Sequence, residues 1–184
     1  MGNAKRTSDL DFKLIALMYG FRDLIRPPQR LLSLAGLEDG MSVVDYGCGP
    51  GSFTVLAAEM VGPAGKVFAV DIHHLALSSV RERASRTALE NIETILVKGY
   101  DTGIVGSSID RVLLIDTFHQ IDDRQALLRE IHRVLKGDGL LFMALGHMSM
   151  SQQKEVVKST CLFEMVECWD KGMVFARQIK EEGA

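Results

Sequence analysis

Short apolar runs and amphipathic stretches alternate along most of this chain. Residues 42–45 close an apolar run that predicts a buried strand. Residues 52–61 follow with Phe53, Leu56, Ala57 and Met60 at i, i+3, i+4 and i+7, the spacing of one helix face. The unit then repeats. Residues 66–70 predict a second strand ending at Asp71, and residues 75–88 a helix with Ala76, Val80 and Ala84 inward. Residues 92–97 and 109–115 predict the third and fourth strands. Asp122 or Asp123 is placed to cap a helix whose apolar face runs through Leu127, Leu128, Ile131, Val134 and Leu135. Gly137-Asp138-Gly139 should stop that helix, and residues 140–145 give a fifth strand.

The rhythm changes after His147. A polar helix over 151–160 leads to two strand-like runs, 163–169 and 173–179, around the turn Asp170-Lys171-Gly172. At the other end, residues 9–25 are helical in pattern with Phe12, Ile15, Ala16 and Tyr19 along one face. Gly20 interrupts that helix, Pro27-Pro28 breaks it, and a short second helix over 29–34 closes at Gly36. The sum predicts an α/β fold: a Rossmann-like, doubly wound, mostly parallel seven-stranded sheet with an antiparallel C-terminal hairpin, in three α/β/α layers. Residues 1–184 are expected to form one domain, 41–184 its core and 1–40 an N-terminal helical segment. That segment is expected to pack on the core with its charges in solvent; the alternative is a lid that brings Tyr19, Phe21 and Arg22 near a ligand.

Composition narrows the classes. The 184 residues are 47% hydrophobic, enough for one substantial core. Net charge is −3, so no broad nucleic-acid-binding field is expected, and the six basic against three acidic residues of positions 1–30 do not alternate with aromatics. No apolar run approaches the roughly 20 residues of a membrane span. No apolar signal core opens the chain, and Arg6 stands where a myristoylation signal needs Ser or Thr. Cys48, Cys161 and Cys168 are scattered and odd in number, which suits a reducing cytoplasm and buried apolar roles better than disulfides or a metal.

Chemistry concentrates in residues 41–51. After the first strand, Gly47, Gly49 and Gly51 allow a turn with almost no side-chain bulk, as in nucleotide-binding crossovers. Asp45 precedes the first glycine, where a diphosphate would be repelled. The loop therefore asks for a nucleoside-like ligand that carries positive charge. Asp71 lies 20 residues after Gly51, the interval at which an acidic residue accepts ribose hydroxyls; its other possible job is a helix N-cap. The carboxyl ends of the strands collect Asp45 to Gly51, Asp71-Ile72-His73, Gly99-Tyr100-Asp101, Asp116 to His119 and Gly146-His147.

Val43-Val44-Asp45-Tyr46-Gly47-Cys48-Gly49-Pro50-Gly51 followed by Val70-Asp71 resembles the class I S-adenosylmethionine-dependent methyltransferases. The helix from Leu128 to Lys136 ahead of Gly139 resembles the one before their fifth strand. Within the family the chain is most similar to the small-molecule branch that includes quinone-biosynthesis enzymes. The resemblance implies S-adenosylmethionine as cofactor and a small-molecule methyl acceptor. It implies that Asp45 and the Gly47–Gly51 loop, Cys48 included, border the methionine part. Asp71 would hold the ribose, Ile72 would lie against adenine, and Asp116 and Phe118 near the methionine end. The family often has Gly-Asp where this chain has Gly99-Tyr100, so the adenine contact falls to either Tyr100 or Asp101.

Methyl transfer from a sulfonium needs mainly in-line positioning, and a base only where the acceptor must lose a proton. His119 and His147 both follow strand ends and are the candidate bases, His119 the better placed; His132, in mid-helix, reads as structural. Two other readings compete. A nicotinamide-dependent oxidoreductase would want G-x-G-x-x-G without the preceding carboxylate. A methyltransferase-like module without turnover would keep the same cofactor motifs.

Overall fold

The computed structural model describes residues 8–10, 12, 14, 18, 28–144 and 146–179. In chain order the elements are α1 (Gln29–Leu32) running into a 3-10 turn (Ser33–Ala35), β1 (Ser42–Tyr46), α2 (Ser52–Met60), β2 (Lys66–Asp71), α3 (His74–Arg86) and β3 (Ile92–Leu96). Then follow β4 (Ile109–Ile115), a 3-10 turn (Phe118–Gln120), α4 (Arg124–Val134), β5 (Leu135–Ala144), α5 (Met150–Ser159), β6 (Phe163–Trp169) and β7 (Gly172–Arg177).

One sheet runs β3-β2-β1-β4-β5-β7-β6. Its first five strands are parallel; β7 lies antiparallel to β5, and β6 antiparallel to β7. The expected architecture is therefore present, hairpin included. The winding reverses between β1 and β4, which opens a crevice at their carboxyl ends.

Strand alternation divides the core between the two faces of the sheet. Val43 faces a cluster with Phe53, Ala57 and Ala58 of α2 and with Leu113 and Phe142. Val44, one residue on, faces the other cluster with Leu114, Met143 and the apolar stripe of α4. Leu127, Leu128, Ile131 and Val134 of that stripe are at most 2% exposed, each burial stabilising by about 1.5–3 kcal/mol before entropy is counted. Asp123 caps α4 by accepting the Ala126 N–H at 2.9 Å, as one of the two expected candidates. Ser149 caps α5 in a capping box with Gln152.

Two boundaries differ from the sequence pattern. Leu135 leaves the helix and opens β5, which takes in the Lys136–Gly139 stretch expected to be a turn. The register jumps there: Ile109 pairs with Leu135, and Arg111 already with Leu140. The last strand ends at Arg177, short of 179. Of the N-terminal helix, Asp9, Leu10, Phe12, Leu14 and Met18 are helical and Phe12 is buried, while Leu10, Leu14 and Met18 are exposed. Ile15, Ala16, Tyr19, Phe21 and Arg22 lie outside the described residues.

Candidate cofactor and active site

The crevice at the β1/β4 reversal is lined by the loop that follows β1. Gly47 takes φ +76° there, in the left-handed region, and a Cβ on it would collide with Cγ2 and Oγ1 of Thr117. The amides of this loop are turned inward. Gly47 and Cys48 N–H both donate to the Val70 carbonyl, at 2.8 and 3.1 Å. Gly49 N–H donates to Asp71 Oδ2 at 2.9 Å, and Gly51 N–H to the Cys48 carbonyl at 3.0 Å. Pro50 has no N–H. From 47 to 51 no amide is left to cradle a phosphate, the task such loops perform in dinucleotide sites.

Asp71 ends β2 and ties three elements together. Its Oδ2 holds the loop, and its Oδ1 accepts the His73 N–H at 2.8 Å. The cap of α3 is not Asp71 but His73, whose Nδ1 accepts the Leu75 N–H. A carboxylate has about four acceptor positions. The two amides leave lone pairs on both Asp71 oxygens for ligand hydroxyls. Burial pushes its carboxyl above the ordinary range, opposed by the His73 and Gly49 amides.

Asp45 is buried near the end of β1. Alternation along β1 turns it toward α2, where Thr54 donates to its Oδ2 at 2.6 Å and only 3% of the residue stays exposed. Burial raises its carboxyl to about 6, against the Thr54 bond and with Asp71 adding to the rise. Cys48 is buried too, its thiol pushed up mainly by burial.

Tyr46, one residue after Asp45, points to the opposite face. Its hydroxyl lies 3.3 Å from the Tyr100 carbonyl, which it anchors behind the crevice. Ile72 is partly buried at the end of β2. The Tyr100 hydroxyl accepts the Asp123 N–H at 2.9 Å, and so is taken by the start of α4. Asp101 is exposed and spends Oδ1 on the Gly103 N–H at 2.9 Å. Phe118 is 3% exposed, in the core at the 3-10 turn, with the Arg124 guanidinium over its ring.

The same turn brings Asp116 and His119 together. Asp116 has φ +55°, a left-handed conformation that Asp tolerates better than most residues. Its Oδ1 lies 3.9 Å from His119 Nδ1, which is buried without a hydrogen-bond partner. Arg124 holds the turn through the Phe118 and His119 carbonyls at 3.1 and 3.2 Å. Gly146 lies beneath His119: a Cβ there would come within 3.0 Å of Nδ1. His147 meets the His119 ring edge-on at 4.9 Å. Burial lowers the His119 pKa below the usual histidine value; Asp116 raises it, while His147 and Arg124 lower it further. His132, as expected, is elsewhere, bonded to the Gln178 carbonyl.

Sequence reasoning did not single out Thr54 or Thr117. Thr54 stands nine residues after the carboxylate it serves, on a helix face read only for its apolar positions. Thr117 Oγ1 lies 3.3 Å from the Gly47 carbonyl, 70 residues away in sequence, and no local spacing announces that.

Comparisons with known proteins give the family. The profile of a family described as a methyltransferase domain matches residues 37–182. Demethylmenaquinone methyltransferase of Listeria monocytogenes serotype 4a (strain HCC23) is 30% identical over 110 residues, 60% of this chain and 46% of that protein. (S)-coclaurine N-methyltransferase of Thalictrum flavum subsp. glaucum is 31% identical over 109 residues, 59% of this chain and 30% of that one. The chain thus spans half or less of the length of these relatives. A SAM-dependent methyltransferase from Aquifex aeolicus superposes with a TM-score of 0.77 at 20% identity, over 94% of this chain and 98% of that chain, a likeness of fold.

Proposed function

This chain belongs to the methyltransferase domain family, of the class I S-adenosylmethionine-dependent kind, and on that premise we propose that it transfers a methyl group to a small-molecule acceptor. The observation that carries the reading is the inward-turned loop. With the Gly47, Cys48, Gly49 and Gly51 amides all bonded within the protein, and Asp45 and Asp71 beside them, the site repels a diphosphate and suits a cationic nucleoside. The same feature disfavours a dinucleotide oxidoreductase.

The residues present fit S-adenosylmethionine, which when bound supplies an electrophilic methyl group on a sulfonium. Asp71 accepts the ribose hydroxyls with its remaining lone pairs, and Ile72 gives adenine an apolar wall. Asp101, with one oxygen uncommitted, takes the adenine contact in preference to Tyr100. Gly47, Gly49 and Gly51 let the loop backbone approach the methionine part, and the buried charge of Asp45 favours its cationic groups. Asp116 faces the methionine end, beside His119. For an acceptor that must lose a proton, His119 is the base: its depressed pKa keeps the ring neutral near pH 7. His147 packs against it and tunes it.

The relatives' names speak of demethylmenaquinone and coclaurine, both small molecules, and that supports the acceptor class. No helix among the described residues is long and apolar enough to cross a membrane. Three free cysteines fit the cytoplasmic setting we propose. Calorimetric titration with S-adenosylhomocysteine and with NAD tests the cofactor: binding of NAD alone defeats the reading. Labelled-methyl transfer into the small-molecule fraction of a cell extract tests turnover, and cofactor binding with no labelled product would mark a non-catalytic module instead.

A further inference from the structure

We propose that His73 is a positioning residue that clasps Asp9 and Phe12 of the N-terminal segment against the cofactor loop while it orients Asp71. The inference rests on the assignment of Asp71 to the ribose. His73 is 3% exposed, and three of its bonds are directional. Its backbone N–H donates to Asp71 Oδ1 at 2.8 Å. Its Nδ1 accepts the Leu75 N–H at 3.2 Å and so caps α3. That bond leaves no proton on Nδ1, so the neutral ring carries its hydrogen on Nε2, and Nε2 lies 3.5 Å from Asp9 Oδ1.

The ring faces are occupied as well. Phe12 stacks on His73 with ring centroids 4.5 Å apart and planes 18° from parallel, and His74 stacks at 5.3 Å. Phe12 in turn shares an apolar cluster with Cys48, Ala69, Ala76, Leu77 and Val80. Phe12 is therefore buried in the same cluster as Cys48, in the middle of the glycine loop, and stacked on the residue two places after Asp71.

Asp9, His73 and His74 present three possible ligand atoms within 4.8 Å of one another, which invites a metal ion. The donor chemistry argues otherwise. A metal on His73 Nε2 would leave the proton on Nδ1, where it could no longer accept the Leu75 amide. The cluster is read as a clasp, with Nε2–H 3.5 Å from the Asp9 carboxylate.

The clasp predicts that Asp9 and Phe12 come away from the glycine loop when His73 loses its Nε2–H and its stacking face. His73→Asn tests this cleanly, because Asn is a good N-cap and keeps the backbone N–H on Asp71. Asp9→Ala removes the partner carboxylate from an exposed position. Cys48 is the reporter: it is buried in the cluster that includes Phe12, whereas Cys161 and Cys168 are exposed and should react at once with a thiol reagent. In ligand-free protein, both variants should label Cys48 about tenfold faster than wild type, with the unfolding midpoint little changed. S-adenosylhomocysteine should also dissociate about tenfold faster from both, its association rate changing less. Unchanged Cys48 labelling in both variants overturns the clasp. Faster labelling in a protein whose wild type binds no S-adenosylhomocysteine upholds the clasp and defeats the cofactor assignment instead.

Discussion

Asp71 Oδ2 accepts the Gly49 N–H at 2.9 Å, across 22 positions of sequence. The carboxylate that ends β2 therefore also holds the glycine loop that follows β1. On the proposed ribose assignment, binding geometry and loop geometry are coupled through one side chain.

Asp71→Ala should weaken S-adenosylhomocysteine binding by at least about 100-fold, since each hydrogen bond to a charged group contributes about 1.5–3 kcal/mol. Asp71→Asn keeps one good acceptor oxygen for the loop but loses the carboxylate that takes hydroxyls. It should bind nearly as poorly as the alanine variant while holding more of the fold's stability. Calorimetric titration alongside thermal unfolding separates the two effects. Full affinity in either variant removes the ribose assignment.

Gly47→Ala should be destabilising for two separable reasons. The left-handed φ of +76° costs an L-residue about 1–2 kcal/mol, and the Cβ collides with Thr117, an overpacking cost of about 1–3 kcal/mol. Gly47→Ala/Thr117→Ala should recover the second part and not the first. Urea denaturation of both single variants and the double variant measures the coupling. Strict additivity would show that Thr117 does not press on the loop.

Much of this arrangement was legible in the sequence because most strands and helices here keep regular periods, although Met60, expected on the inner face of α2, is exposed. β4 has the bounds its β-branched run announced, and Ala76, Val80 and Ala84 are the inward face of α3. The loop and its carboxylates were legible as chemistry because glycine and aspartate are rare in such positions without a reason. Leu135 was not legible: it continues the helical spacing from Ile131, and only pairing with Ile109 draws it into β5. The burial of Phe118 under Arg124 and the bond from the Asp123 N–H to the Tyr100 hydroxyl were not legible either, since no periodic spacing announces them.

Asp45 should make the protein less stable at neutral than at acid pH. Its carboxyl titrates near 6 when folded and near 3.8 when unfolded. Between those values the folded chain holds a proton that the unfolded chain has lost, so stability falls as pH rises through the window. Two units correspond to about 3 kcal/mol. Asp45→Asn keeps an acceptor for Thr54 and has no charge to bury. Calorimetric unfolding from pH 4 to 7.5 should show a decline in wild type that is shallower in the variant. Parallel curves would place the proton elsewhere. Saturating S-adenosylmethionine should flatten the wild-type decline, because its positive charge stabilises the ionised carboxylate.

His119 should set the acid limb of the pH–rate profile. Because burial lowers its pKa, the ring is neutral at pH 7, and methyl transfer to an acceptor that must ionise should fall only below about pH 6.5. His119→Gln should cost about 100-fold in kcat and abolish the limb. Its neighbours then act in opposite directions. Asp116 raises the His119 pKa, so Asp116→Asn should move the limb to lower pH; His147 lowers it, so His147→Gln should move the limb to higher pH. Labelled-methyl initial rates across pH 5–8 for the three variants read all of this in one experiment. A profile that His119→Gln leaves unchanged would assign proton removal to water or to the acceptor itself. Opposed shifts from Asp116 and His147 would tie the limb to His119, since no other histidine lies between those two side chains among the described residues.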